Sequence, residues 1–62
     1  MKISSYAFTL VRHGAFWFSA VDNTPFSAEY DEITETYYFQ DVLTGEIYDP
    51  VRYISEDEVI VG

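Results

Sequence analysis

The chain has 62 residues, no cysteine, and eleven acidic side chains against three basic ones, which gives a formal net charge of −8 at pH 7. The absence of cysteine excludes disulfides and zinc–thiolate centres as supports for so small a fold, and the negative charge disfavours direct binding to nucleic acid or anionic lipid. Because 48% of the residues are hydrophobic and 19% are aromatic, we expect one folded domain over residues 1–62, with a thin core built largely from aromatic side chains.

The first predicted unit is a β-hairpin. Residues 3–12 are rich in β-forming side chains that alternate between two faces. His13 and Gly14 follow as a predicted two-residue turn, because glycine adopts a positive φ without strain. Residues 15–21 return as the second strand. Since this strand is apolar on both faces, we expect it to lie in the middle of a sheet.

The segment from residue 25 to residue 33 fits two structures. As a strand it alternates cleanly, with Phe26 and Tyr30 facing inward. As a helix it would have Thr24 as its N-cap and Pro25 in its first turn. Periodicity does not separate the two in so short a window. We favour a short helix or helical turn, because Thr-Pro is a start signal with a physical mechanism.

A second predicted hairpin follows. Its strands are residues 36–42 and 46–48, and residues 43–45 form a type I turn that ends in a left-handed glycine. Pro50 then interrupts the ladder, because proline has no N–H to donate. Two further extended segments, residues 51–54 and 59–61, complete the chain.

The expected fold class is therefore mainly β. We predict a small antiparallel sheet of four or five strands, with room for a barrel-like closure and with at most one short helix near residues 25–33. An α+β fold is the alternative.

The sequence offers no chemistry that we would assign to an enzyme. The single histidine, His13, lies in a predicted turn, and there is no nucleophile motif or phosphate-binding glycine loop. The acidic residues lack the spacing of a calcium loop, so we expect no catalytic residue, no metal and no cofactor. No secretory or membrane-spanning segment is apparent, and we expect a location in the cytoplasm of a bacterial host.

The charge is unevenly distributed along the chain. Residues 1–21 carry +2, residues 22–50 carry −8 and residues 51–62 carry −2. Acidic residues two positions apart in a strand share a face at a spacing of about 6.6 Å, which is similar to the spacing of phosphates along a nucleic-acid strand. Tyrosines lie among these acids and are favoured anchors at protein interfaces. The predicted partner-binding residues are Glu29, Asp31, Glu32, Glu35, Asp41, Tyr30, Tyr38 and Tyr48.

The leading functional hypothesis follows from this acidic, tyrosine-containing surface. The chain is similar in general character to the inhibitors that phages and mobile elements make against host nucleic-acid machinery, such as anti-CRISPR, anti-restriction and polymerase-inhibiting proteins. That likeness implies a non-enzymatic protein whose partner is a basic, nucleic-acid-binding host protein. Its carboxylates would replace phosphates by DNA-like charge mimicry, without direct nucleic-acid or membrane binding.

Two alternatives belong to other functional classes. Residues 37–46 resemble the central hairpin of WW domains, in which an aromatic triplet precedes a Thr-Gly-Glu turn. The resemblance implies an aromatic groove for proline-rich peptides in which Tyr38 takes part. The alternative function is therefore a peptide-binding β-module, for which we expect Tyr38, Tyr48 and Trp17 to form an aromatic surface. The other alternative is a structural protein that assembles through exposed strand edges into a homo-oligomer.

Overall fold

The computed structural model describes residues 7–62, and the regular secondary structure of this part is entirely β. Its strands are β1 (Phe8–His13), β2 (Phe16–Ser19), β3 (Pro25–Asp31), β4 (Thr36–Asp41), β5 (Ile47–Tyr48), β6 (Pro50–Ser55) and β7 (Glu58–Val61). They form one antiparallel sheet in the order β5-β4-β3-β2-β1-β7-β6. The prediction of a mainly β, barrel-like fold is confirmed. The predicted count of four or five strands is too low.

The sheet is nearly closed because its two edge strands are neighbours in the chain. β5 and β6 lie at opposite ends of the strand order, yet only Asp49 separates them. The backbone of Asp49 exchanges two hydrogen bonds with Gly62, of 3.2 Å and 3.0 Å, just beyond the end of β7. The sheet must therefore curl on itself.

The core lies inside this curl and is small. It consists of five buried side chains, Leu10, Phe26, Phe39, Val59 and Val61. Three partly buried aromatic residues, Phe8, Trp17 and Tyr48, pack against it. The ring centroids of Trp17 and Phe39 lie 5.2 Å apart in an edge-to-face arrangement. Because few aliphatic residues are buried, aromatic side chains supply much of the apolar area of this core.

The prediction of a short helix near residues 25–33 is wrong. These residues form β3, which pairs with β4 along six consecutive positions, and the first half of the four-residue turn at residues 32–35. Pro25 begins the strand rather than a helix, at a position where a missing N–H is tolerated. The Thr24 hydroxyl bonds to Asp22 and does not act as a helix cap. The strand prevails because it gives β4 a partner and buries Phe26, which local propensity does not take into account.

The first hairpin turn lies one residue later than predicted. His13 pairs with Phe16, so Gly14 and Ala15 form the turn, and Gly14 has a φ of 65°. Arg12 joins this turn to the β6–β7 turn, because its guanidinium lies 2.6 Å from the Asp57 carboxylate. The predicted strand residues before Ala7 lie outside the described part of the chain.

Three other hairpin turns share one geometry, in which a side-chain oxygen of the first residue accepts the N–H of the third. The first residues are Ser19, Asp31 and Asp41, with N···O distances of 3.2, 2.9 and 2.8 Å. The fifth residues are Asn23, Glu35 and Gly45, whose φ values are 64°, 60° and 82°. A short polar side chain therefore fixes the start of each turn, and a left-handed residue returns the chain to the sheet.

Candidate partner-binding site

The β3–β4 hairpin extends beyond its neighbours in the sheet. β2 pairs with β3 only at Pro25 and Phe26, and β5 pairs with β4 only at Phe39 and Gln40. The outer part of the hairpin, residues 28–38, is therefore paired only with itself. We call residues 28–38 the acidic arm.

Four of the predicted binding residues are carboxylates of this arm. Glu29 and Asp31 lie two apart on β3, and Glu32 and Glu35 lie in the exposed turn that follows. The arm contains no lysine, arginine or histidine. Asp31 also holds the turn, because its Oδ1 accepts the N–H of Ile33 at 2.9 Å. The arm thus presents four negative charges at one end of the molecule.

The opposite face of the arm carries a pair of tyrosines. Tyr30 and Tyr37 are cross-strand partners whose ring centroids lie 5.0 Å apart in an edge-to-face contact. They share the sheet face of the core residue Phe39 but lie beyond the core, so they remain 51% and 53% exposed. Ile33, at the tip of the arm, is 94% exposed. The arm therefore offers apolar area as well as charge.

The structure separates the eight predicted residues into two groups. Glu29, Tyr30, Asp31, Glu32, Glu35 and Tyr38 lie together on the arm, where Tyr38 is the cross-strand partner of Glu29. Asp41 lies at the far end of β4 and Tyr48 on β5, away from the tip of the arm. The predicted partner-binding residues thus fall into six residues on the two faces of one hairpin arm and two residues at the opposite end of the sheet.

Asp41 and Tyr48 are held by internal contacts. Asp41 is 8% exposed, and its carboxylate accepts the N–H groups of Leu43 and Thr44 at 2.8 Å and 3.1 Å. The Tyr48 hydroxyl donates to Glu46 at 3.0 Å. Burial raises the pKa of Tyr48, and the hydrogen bond and negative charge of Glu46 raise it further. Both side chains therefore help to build the fold at this end of the sheet.

The three aromatic residues of the peptide-binding alternative lie on two different faces. Trp17 and Tyr48 pack against the core on the inner face, whereas Tyr38 alternates with Phe39 and points to the outer face. Sequence reasoning did not include Tyr37 and Ile33 in the binding surface. The signal for Tyr37 is its register with Tyr30, which can be read only once residues 25–31 are known to be a strand.

Metal-ligating side chains are not clustered in the described part of the chain. Among residues 7–62, no three histidine, aspartate or glutamate side chains are grouped so that they could hold a metal ion. His13 is exposed, and its ring lies against Phe18 at a centroid distance of 5.8 Å. The same residues contain no helix long and apolar enough to cross a membrane.

Comparisons of the chain with protein-family models, with curated proteins and with solved structures give no match.

Proposed function

We propose that this protein is a non-enzymatic inhibitor that binds a basic, nucleic-acid-binding surface of a host protein through the acidic arm. The proposal assigns it to the class of phage or mobile-element inhibitors that act by charge mimicry of DNA. The observation that supports the proposal is the arm itself, where four carboxylates and two half-exposed tyrosines extend beyond the rest of the sheet.

The two faces of the arm have complementary roles in this proposal. Glu29 and Asp31 share a face at the strand spacing of about 6.6 Å, and they would accept the lysine and arginine side chains that normally hold phosphates. Tyr30 and Tyr37 would supply buried contact area at a low cost in side-chain entropy. Charge then governs the rate of encounter and the choice of partner, while the tyrosines slow dissociation.

The test begins with a pull-down from bacterial lysate by the tagged protein, with and without excess duplex DNA. We expect a nucleic-acid-binding protein to be retained and to be displaced by DNA. Its affinity should then be measured between about 50 mM and 500 mM salt, where screening shortens the reach of the charges and weakens binding.

The decisive variant neutralises three arm residues together, Glu29→Gln, Glu32→Gln and Glu35→Gln. Asp31 is left intact because its carboxylate supports the turn. The matched control, Asp22→Asn with Glu56→Gln and Glu58→Gln, changes the net charge by the same amount away from the arm. We expect the arm variant to lose at least tenfold in affinity and the control to lose less than threefold.

Equal losses in the two triple variants would show that only net charge matters and would overturn the assignment to the arm. A retained partner that ignores both DNA and salt would overturn charge mimicry itself.

A further inference from the structure

A small pocket lies at the end of the sheet that is remote from the tip of the acidic arm. It is bordered by the β2–β3 turn, by Asp41 at the end of β4 and by Tyr48 of β5, and it has a volume of about 250 Å³. Among the residues that line it are Phe8, Ser19, Asp22, Phe26, Asp41 and Tyr48. No lysine, arginine or histidine is among the described residues that line it.

One wall of the pocket is aromatic. The ring of Phe8 lies 5.8 Å from that of Phe26 and 5.2 Å from that of Tyr48, and the latter two rings are 5.6 Å apart. The planes of each pair of rings meet at 55° to 79°, so each ring contacts the other two in a tilted or edge-to-face arrangement. Such a wall can cover the methylene groups of an alkyl chain, and an aromatic face also attracts a cation.

The polar side of the pocket is formed by two carboxylates. In Asp41 and in Asp22, the hydrogen bonds from the turn amides all end on Oδ1. Oδ2 of Asp41 accepts no hydrogen bond from residues 7–62, although the residue as a whole is only 8% exposed. No fully buried side-chain oxygen of these residues lacks a partner, so this atom must be reached by solvent, and Asp41 borders the pocket.

We propose that this pocket binds a cationic group on a short alkyl stem, either an ammonium or a guanidinium. The charged head would bond to Oδ2 of Asp41, with the Asp22 carboxylate nearby, and the stem would lie along Phe8, Phe26 and Tyr48. The shielded position of Asp41 strengthens its attraction for a cation relative to an exposed carboxylate. The site is separate from the acidic arm and does not depend on the function proposed for it.

The test is a titration of the ¹⁵N-labelled full chain, followed by amide NMR at constant ionic strength. The probe is butylammonium, and 1-butanol and butyrate are its neutral and anionic analogues. The reporters are the amides of Val21, Leu43 and Thr44, which donate to Ser19 Oγ and Asp41 Oδ1. We expect these signals to move saturably with butylammonium and at least tenfold less with either analogue.

Two variants and one control assign the binding to the pocket. Asp41→Asn keeps an Oδ1 acceptor for the turn and removes the charge, so the fold should persist while affinity falls at least tenfold. Asp22→Asn, at an exposed position, keeps the test valid if Asp41→Asn does not fold, and should weaken binding about threefold. Asp49→Asn removes the same charge outside the pocket and should change affinity by less than twofold.

Two further probes distinguish a cation on a protein side chain from a free amine. They are the Nα-acetylated methylamides of lysine and arginine, which carry a backbone on either side of the cationic side chain. If either binds at least as tightly as butylammonium, the pocket accepts a protein side chain. If both bind tenfold more weakly, it accepts a free amine, and either result supports the site. Equal shifts with butanol, or unchanged affinity in both Asp41→Asn and Asp22→Asn, would overturn the proposal.

Discussion

The left-handed fifth residues of two turns allow an opposed pair of stability predictions. Glu35 has a φ of 60° and Gly45 a φ of 82° in turns of the same geometry. A residue with a side chain is strained in this conformation by about 1–2 kcal/mol. Glycine avoids the strain but lowers the free energy of unfolding by about 0.4–1 kcal/mol, because the unfolded chain gains conformational freedom. Glycine should therefore be favoured over alanine by roughly 0.5–1 kcal/mol at both positions.

At Gly45 the cost is purely conformational, because an added Cβ would meet only the Gln40 side chain, at 3.9 Å. We expect Gly45→Ala to lower the free energy of unfolding by about 0.5–1 kcal/mol. At residue 35 the comparison is Glu35→Gly with Glu35→Ala, since both remove the charge and only glycine relieves the strain. The glycine variant should be the more stable by a similar amount.

The assay is urea unfolding at pH 7, followed by the fluorescence of Trp17, which packs against Phe39. A change in midpoint with a constant slope reports a change in stability alone. If Glu35→Gly is no more stable than Glu35→Ala while Gly45→Ala is destabilised, the two turns do not share one energetic constraint, and the reasoning from their geometry fails.

Two further predictions concern the core and its rim. Phe39→Ala removes a side chain of a residue that is only 2% exposed, and we expect it to lower the free energy of unfolding by about 3–5 kcal/mol. A core this small supplies no more than that, so the variant should unfold and its amide NMR dispersion should collapse. Tyr37→Ala, at a half-exposed position, should remain folded. Retained dispersion in Phe39→Ala would contradict the assignment of the core. The raised pKa of Tyr48 means that its stabilising effect is complete below the unfolded-state pKa near 10 and is lost as pH rises through the higher folded-state value. The difference in free energy of unfolding between the parent and Tyr48→Phe, measured by urea unfolding from pH 8 to pH 11, should therefore shrink above pH 10. A constant difference would show that the folded state does not raise the pKa of Tyr48.

Local patterns were sufficient for much of the sheet. Alternation predicted that Phe16 and Phe18 share one face and that Trp17 and Ser19 share the other, and the register of β1 and β2 confirms this. The left-handed glycine at position 45 was predicted from its place after a type I turn, and its φ of 82° agrees. These features depend on a few neighbouring residues, whose steric preferences are present in the sequence itself.

The candidate site was only partly predictable. The acids and tyrosines of residues 29–38 were grouped by their closeness in sequence, and the structure places them on one hairpin. Asp41 and Tyr48 were included for the same reason, although Asp41 binds the turn amides and Tyr48 packs against Phe8 and Phe26. Composition does not distinguish a carboxylate that supports a turn from one that faces a partner, because the difference lies in the backbone conformation that follows it.

The sequence by itself determined the acidity, the aromatic character of the core and the positions of most turns, because each depends on composition or on a few adjacent residues. Only the tertiary structure decided that residues 25–31 form a strand, since Phe26 gains a buried position only when β2 and β4 lie on either side of it. The same pairing makes residues 28–38 an arm that extends past its neighbours. It also brings Asp22 and Asp41 to one pocket, although nineteen positions separate them in the chain.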